Sequence, residues 1–184
     1  GMLPPEDIRK IAEILREFPE TWVLSDEIYS KIIYEGEHLS ITTQEGMAGR
    51  TVLLDGFSKT YAMTGWRLGY GVMPEPLAKW VAQLATNSIS CTASFIQRAG
   101  MEALRGPQDD SARMREEFRR RRDHLVAGLN RIEGIRCLLP RGAFYVFPDI
   151  RALGRPSREA ARVLLDDFGV AALSGTAFGA FGEG

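Results

Sequence analysis

The chain is 184 residues long, carries a formal net charge of -1 and is 45% hydrophobic, enough apolar material for one substantial core or two small ones. A charge so near zero argues against a general polyanion binder. No run approaches the roughly 18 apolar residues of a membrane span, and the N-terminus lacks a charged-then-apolar leader pattern, so a soluble, cytoplasmic protein with neither membrane nor nucleic-acid partner is expected.

Gly1 ahead of Met2 reads as a cloning remnant, with the encoded chain starting at Met2. Pro4-Pro5-Glu6-Asp7 then introduces Ile8, Ile11, Leu15 and Phe18 at helical spacing, a stripe that Pro19 ends. Thr21 to Ser25 predicts a short strand that delivers Asp26-Glu27-Ile28-Tyr29 at its carboxyl end, the edge where ligands gather in a parallel α/β sheet. Residues 30–49 read as loop. His38 in that loop and His124 further on lack partners at metal-ligand spacing, so both are expected at the surface and no metal site is expected. Cys91 and Cys137 sit in apolar surroundings and are expected to be buried thiols in a reducing compartment.

A second strand is predicted over 51–55, and its apolar run Val52, Leu53, Leu54 leads through Gly56 to Ser58-Lys59-Thr60. Lysine is the side chain that can form a Schiff base with an aldehyde cofactor, provided burial or a nearby cation keeps the amine partly unprotonated. Arg67, eight residues later, supplies a cation with a planar fork suited to a phosphate. Taken singly, Lys59 also fits a strand-edge lysine reaching solvent, Arg67 a surface ion-pair partner, Ser58 a turn residue, Asp26 a cap and Tyr29 a packing residue.

Read together, S-K-T-Y-A-M-T-G-W-R-L-G-Y from Ser58 to Tyr70 resembles the pyridoxal-phosphate lysine segment of class I/II aminotransferases, the fold-type-I family that includes aspartate aminotransferase. D-E-I-Y, about thirty residues earlier, is the second matching motif. The resemblance implies that Lys59 is the catalytic lysine and holds pyridoxal 5'-phosphate as an internal aldimine. It implies further that Asp26 keeps the pyridine nitrogen protonated, Tyr29 hydrogen-bonds the ring oxygen, and Ser58 with Arg67 binds the phosphate.

Beyond the motif, residues 69–73 suggest a third strand closed by Pro74. Leu77, Trp80, Val81 and Leu84 mark a helix over 76–85 whose stripe reads as core. The polar run Thr86 to Thr92 precedes a helix at 93–104, where it reads as an N-cap, while comparable family residues lie near the dimer interface. Gly106-Pro107 is the best domain boundary, giving 1–106 as a partial cofactor-binding large domain and 107–184 as a small C-terminal domain. Met114, Phe118, Leu125, Leu129 and Ile132 mark a long helix whose arginine face, interleaved with Glu116, Glu117 and Asp123, reads as solvated. Strands are predicted at 134–140, 143–148 and 170–173 and a helix at 158–168; Pro140 to Tyr145 resembles the family's P-x-G-A-F-Y segment.

The fold class implied is α/β: part of the parallel-sheet large domain of a fold-type-I enzyme, then an α+β small domain. The implied activity is amino transfer between an amino acid and a 2-oxo acid. The chain covers about half of such an enzyme, without the segments that would complete the phosphate loop, the ring-stacking residue and the carboxylate-binding arginine. Homodimerisation or self-association through exposed sheet edges is therefore expected, with low activity for the isolated chain. A lyase or decarboxylase of the same fold, or a non-catalytic assembly module, is the alternative reading.

Overall fold

The structure, a computed structural model, describes residues 2–184; Gly1, read above as a cloning remnant, lies outside them. Pro5 at the start of α1 (Pro5–Arg16) has no N–H to leave unpaired, and Glu6 and Asp7 sit in the first turn, where free amides and the helix dipole favour acids. The stripe of α1 buries Ala12 against Ile41 and Met47, with Ile8, Leu15 and Val23 packed around them. Arg50 closes the helix by donating from its guanidinium to Leu15 O and Phe18 O, both at 2.6 Å.

Three strands follow as expected: β1 (Val23–Asp26), β2 (Thr51–Gly56) and β3 (Gly69–Val72), in the order β1-β2-β3. β1 and β2 are parallel, with Val23 opposite Thr51 and Asp26 opposite Leu54. β3 runs antiparallel to β2, with Gly56 opposite Gly69, so the sheet is mixed. The segment between them contains a single 3-10 turn, Thr64–Trp66, and no crossover helix. It returns directly beside β2, and Phe57 N–H donates to Leu68 O at 3.2 Å.

α2 (Glu75–Ser88) runs past its expected end because Thr86, Asn87 and Ser88 bond back to the carbonyls of Ala82, Gln83 and Leu84 at 2.8–2.9 Å. The polar run thus finishes α2 and does not cap α3 (Ser94–Arg105), whose N-cap residue Ala93 makes no side-chain cap. The α2 stripe read as core is instead largely exposed, Trp80 at 70%. α3 approaches the β2–β3 loop closely at Gly100, where an added Cβ would lie 2.4 Å from Leu68 Cδ2 and 3.3 Å from the Phe57 ring.

The chain divides into two compact units, one of residues up to Glu117 with Arg141–Ala143, the other of Phe118–Pro140 and Phe144–Gly184. α4 (Asp109–Leu129) carries the chain from the first to the second. Within the second unit Arg122, expected on a solvated face, is 7% exposed, and its guanidinium donates to Pro140 O at 2.8 Å. The strands expected at 134–140, 143–148 and 170–173 form no ladder among the described residues. Asn130 takes both the N–H and the carbonyl of Cys137, and Arg136 and Asp149 make an isolated antiparallel bridge. α5 (Ser157–Phe168) ends at Gly169 in the left-handed region (φ 66°), with Val170 N–H returning to Leu164 O. Cys137 is buried as expected, and burial raises its thiol pKa; Cys91 is exposed, contrary to expectation.

Candidate functional site

Parallel pairing of β1 with β2 brings their carboxyl ends to one edge, and the D-E-I-Y and S-K-T motifs leave the sheet there. Asp26 is exposed, and its Oδ1 accepts from Ile28 N–H at 3.2 Å, which starts the turn carrying half-buried Tyr29. Glu27 extends the pairing by one residue, its N–H donating to Leu54 O at 2.8 Å. Strand alternation sends its side chain to the opposite face from Asp26. There Glu27 is 8% exposed; Oε1 accepts from Ser40 Oγ at 2.6 Å and Ser25 Oγ at 3.1 Å, and Oε2 lies 2.6 Å from His38 Nε2. His38 is therefore not the plain surface residue its sequence surroundings suggest: its side chain is 31% exposed and tied to a buried carboxylate.

At the end of β2, Gly56 meets Gly69 so closely that a Cβ would stand 3.0 Å from Gly69 Cα. Ser58 and Lys59 follow, both half-buried, between buried Phe57 and Thr60. Thr64 is the pivot of the loop: its Oγ1 donates to Ser58 O and its own carbonyl accepts from Arg67 Nη1, each at 3.0 Å. Ala62 (φ 53°) and Arg67 (φ 56°) both occupy the left-handed region, a cost that non-glycine residues bear mainly where the surroundings impose it. Behind the loop, Asp55 Oδ1 accepts from Gly56 N–H at 2.7 Å, and Oδ2 accepts from Tyr70 OH at 3.2 Å and, at a long 3.5 Å, from Ser30 Oγ. Burial, reinforced by the Asp55 charge, raises the Tyr70 phenol pKa.

The structure thus joins Ser58 and Arg67 through Thr64 and places Asp26 and Tyr29 at the same sheet edge. Asp26 shares no hydrogen bond with Ser58 or Arg67 among the described residues. Pyridoxal phosphate requires an amine, phosphate donors, an anion for its ring nitrogen and a donor for its ring oxygen. Lys59, Ser58 with Arg67, exposed Asp26 and Tyr29 supply that set from one edge, so the residues present fit the group. Glu27, Asp55 and Thr64 were not singled out from the sequence. Glu27 and Thr64 lie inside the two motifs, and the period-2 alternation of β1 already put Glu27 on the face opposite Asp26.

A family model described as aminotransferase class I and II matches residues 1–184. The chain is 40% identical over 185 residues to an aspartate aminotransferase of Rhizobium meliloti (strain 1021), covering 94% of this chain and 45% of the relative. It is 42% identical over 160 residues to an arginine-pyruvate transaminase of Pseudomonas aeruginosa, covering 87% and 41%. An aromatic aminotransferase from Pyrococcus horikoshii OT3 superposes with a TM-score of 0.94 at 38% identity, over 99% of this chain and 49% of that one. The chain spans about half the length of the curated relatives it matches.

Proposed function

The chain belongs to the aminotransferase class I and II family, and on that premise we propose that it forms part of a pyridoxal 5'-phosphate-dependent aminotransferase acting on an amino acid and a 2-oxo acid. The observation that carries this reading is the parallel register of Asp26 with Leu54, which brings the carboxylate motif and the lysine motif out at one edge.

Pyridoxal phosphate, when bound, supplies a carbon that bonds covalently to an amine and a ring that draws electron density from the adjoining carbon. Lys59 is the amine at rest. As a free amine beside the substrate, its Nζ would be the group that holds and moves the proton of the substrate α-carbon. Asp26 holds the proton on the ring nitrogen, and its exposure leaves the carboxylate accessible from the sheet edge. Tyr29 donates its phenol hydrogen to the ring oxygen. Ser58 Oγ and the Arg67 guanidinium would hold the phosphate; with Nη1 donating to Thr64 O, the guanidinium has further N–H groups for that contact. The reading extends to a cytoplasmic homodimer, with residues 1–106 in the large domain and 107–184 in the small one.

An absorbance titration of the purified protein with pyridoxal phosphate, run beside Lys59→Ala, tests it. The expected result is a saturable visible band that needs Lys59, and borohydride reduction that fixes the cofactor's mass to the Lys59 peptide. A band and a reduced adduct that persist in Lys59→Ala would overturn the assignment.

A further inference from the structure

We propose that Glu27 is a positioning residue: its buried carboxylate, clamped by Ser25, Ser40 and His38, fixes the peptide that aims Asp26 out of the carboxyl end of β1. This rests on reading Asp26 as the carboxylate at the cofactor's ring nitrogen.

Asp26 has little to hold it by itself. Its side chain's bond is to Ile28 N–H at 3.2 Å, within its own turn. Glu27 is bound on every side. Its N–H donates to Leu54 O and its carbonyl accepts from Ser30 N–H, both at 2.8 Å, so the peptides flanking it are fixed from β2 and from the following turn. A buried carboxylate is costly unless its lone pairs are satisfied, and here three side chains satisfy them, so the Glu27 rotamer is specified. Because successive residues of an extended strand face opposite ways, fixing Glu27 inward fixes Asp26 outward.

The clamp is also anchored at a distance. His38 and Ser40 come from 11 and 13 residues downstream. Ser40 Oγ accepts from Thr42 N–H at 3.3 Å and so caps the turn Ile41–Thr43. Ile41 in that turn is buried against Ala12 and Met47. Rotating Glu27 would therefore pull on the core of the first unit, whereas the Asp26 side chain is held by its bond to Ile28 N–H.

The test compares Asp26→Ala, Glu27→Ala, Glu27→Gln and Ser40→Ala with the parent protein. Two quantities are read: the pH midpoint of the visible band of the bound cofactor, and the dissociation constant for pyridoxal phosphate. A carboxylate at the ring nitrogen keeps a positive charge there, which makes the Lys59 Nζ joined to the cofactor carbon harder to protonate; losing it raises the midpoint. Asp26→Ala should raise the midpoint by about one pH unit and Glu27→Ala by about half of that, with cofactor binding weakened about fivefold. Glu27→Gln keeps the shape and an acceptor oxygen and should restore most of the parent midpoint. Ser40→Ala removes the 2.6 Å bond without burying an unpaired charge and serves if Glu27→Ala does not fold; it should move the midpoint in the same direction. Exchange of the Ile28 amide in the cofactor-free protein should quicken in Glu27→Ala and Ser40→Ala. If Asp26→Ala shifts the midpoint while Glu27→Ala and Ser40→Ala leave it at the parent value, the positioning role is wrong and the cofactor reading stands. If Asp26→Ala leaves it unmoved, the ring-nitrogen reading and this proposal both fall.

Discussion

Gly56→Ala tests whether the close approach at the end of β2 sets the geometry of the Ser58–Lys59 loop. A Cβ at this position would stand 3.0 Å from Gly69 Cα and 3.1 Å from Leu68 O, both backbone, and 3.4 Å from Ile28 Cδ1. These backbone atoms cannot yield singly, because Gly56 is in register with Gly69 and the Phe57–Leu68 bond follows at once. Overpacking of this kind costs about 1–3 kcal/mol, while the stiffer unfolded chain returns about 0.4–1 kcal/mol, a net loss of about 1 kcal/mol. Gly71→Ala in the same strand pair is the control. Its Cβ would meet Met73 Cε at 2.8 Å, the far end of a flexible side chain, and Leu54 Cδ2 at 3.5 Å. Methionine can swing aside, so Gly71→Ala should be neutral or slightly stabilised. Equilibrium guanidinium unfolding, followed by tryptophan fluorescence, gives both stabilities, and a pyridoxal phosphate titration shows whether the loop has moved. Gly56→Ala should unfold at lower denaturant and bind cofactor several-fold more weakly. Equal stabilities for the two variants, or a stabilised Gly56→Ala, would refute the reasoning.

Thr64→Val keeps the shape of the loop pivot and deletes its hydroxyl. Because the lost bond to Ser58 O is exposed, stability should fall by about 0.5–1 kcal/mol, and cofactor affinity should drop a few-fold; unchanged affinity would remove Thr64 from the site. At the other end of the chain, Glu183 accepts from Ser157 N–H at 2.6 Å and from Ser157 Oγ at 2.9 Å, and these bonds, the backbone one first, hold its carboxyl pKa below the usual value. A depressed carboxyl pKa stabilises the fold above the ordinary value of 4.5 and ceases to do so as the pH falls through the lowered folded value. The Ser157 amide resonance should therefore titrate with a midpoint below 4.5 and lose that titration in Glu183→Gln; a midpoint at or above 4.5 contradicts the pairing.

What the sequence determined by itself is what local rules govern. α1, α3, α4 and α5 lie close to where apolar spacing, proline starts and glycine stops put them, because each helix satisfies its own backbone within a few residues. α1 and α4 nevertheless end at Arg16 and Leu129, short of Phe18 and Ile132. The order of D-E-I-Y and S-K-T, each after a short β-branched or apolar run, likewise marked the strand ends. Tertiary structure decided whatever needed a distant partner. The extended segments at 134–140, 143–148 and 170–173 read as strands, yet a strand exists only when another pairs with it, and Asn130 takes the Cys137 backbone groups instead. The direction of β3 followed from a loop that turns straight back, and the exposure of the α2 stripe from what packs beside it. Periodicity tells which side chains share a face and not what covers that face. For the same reason His38 could not be recognised in the sequence: its partner Glu27 lies in another segment, buried by contacts that form only when β1, the following loop and α1 come together.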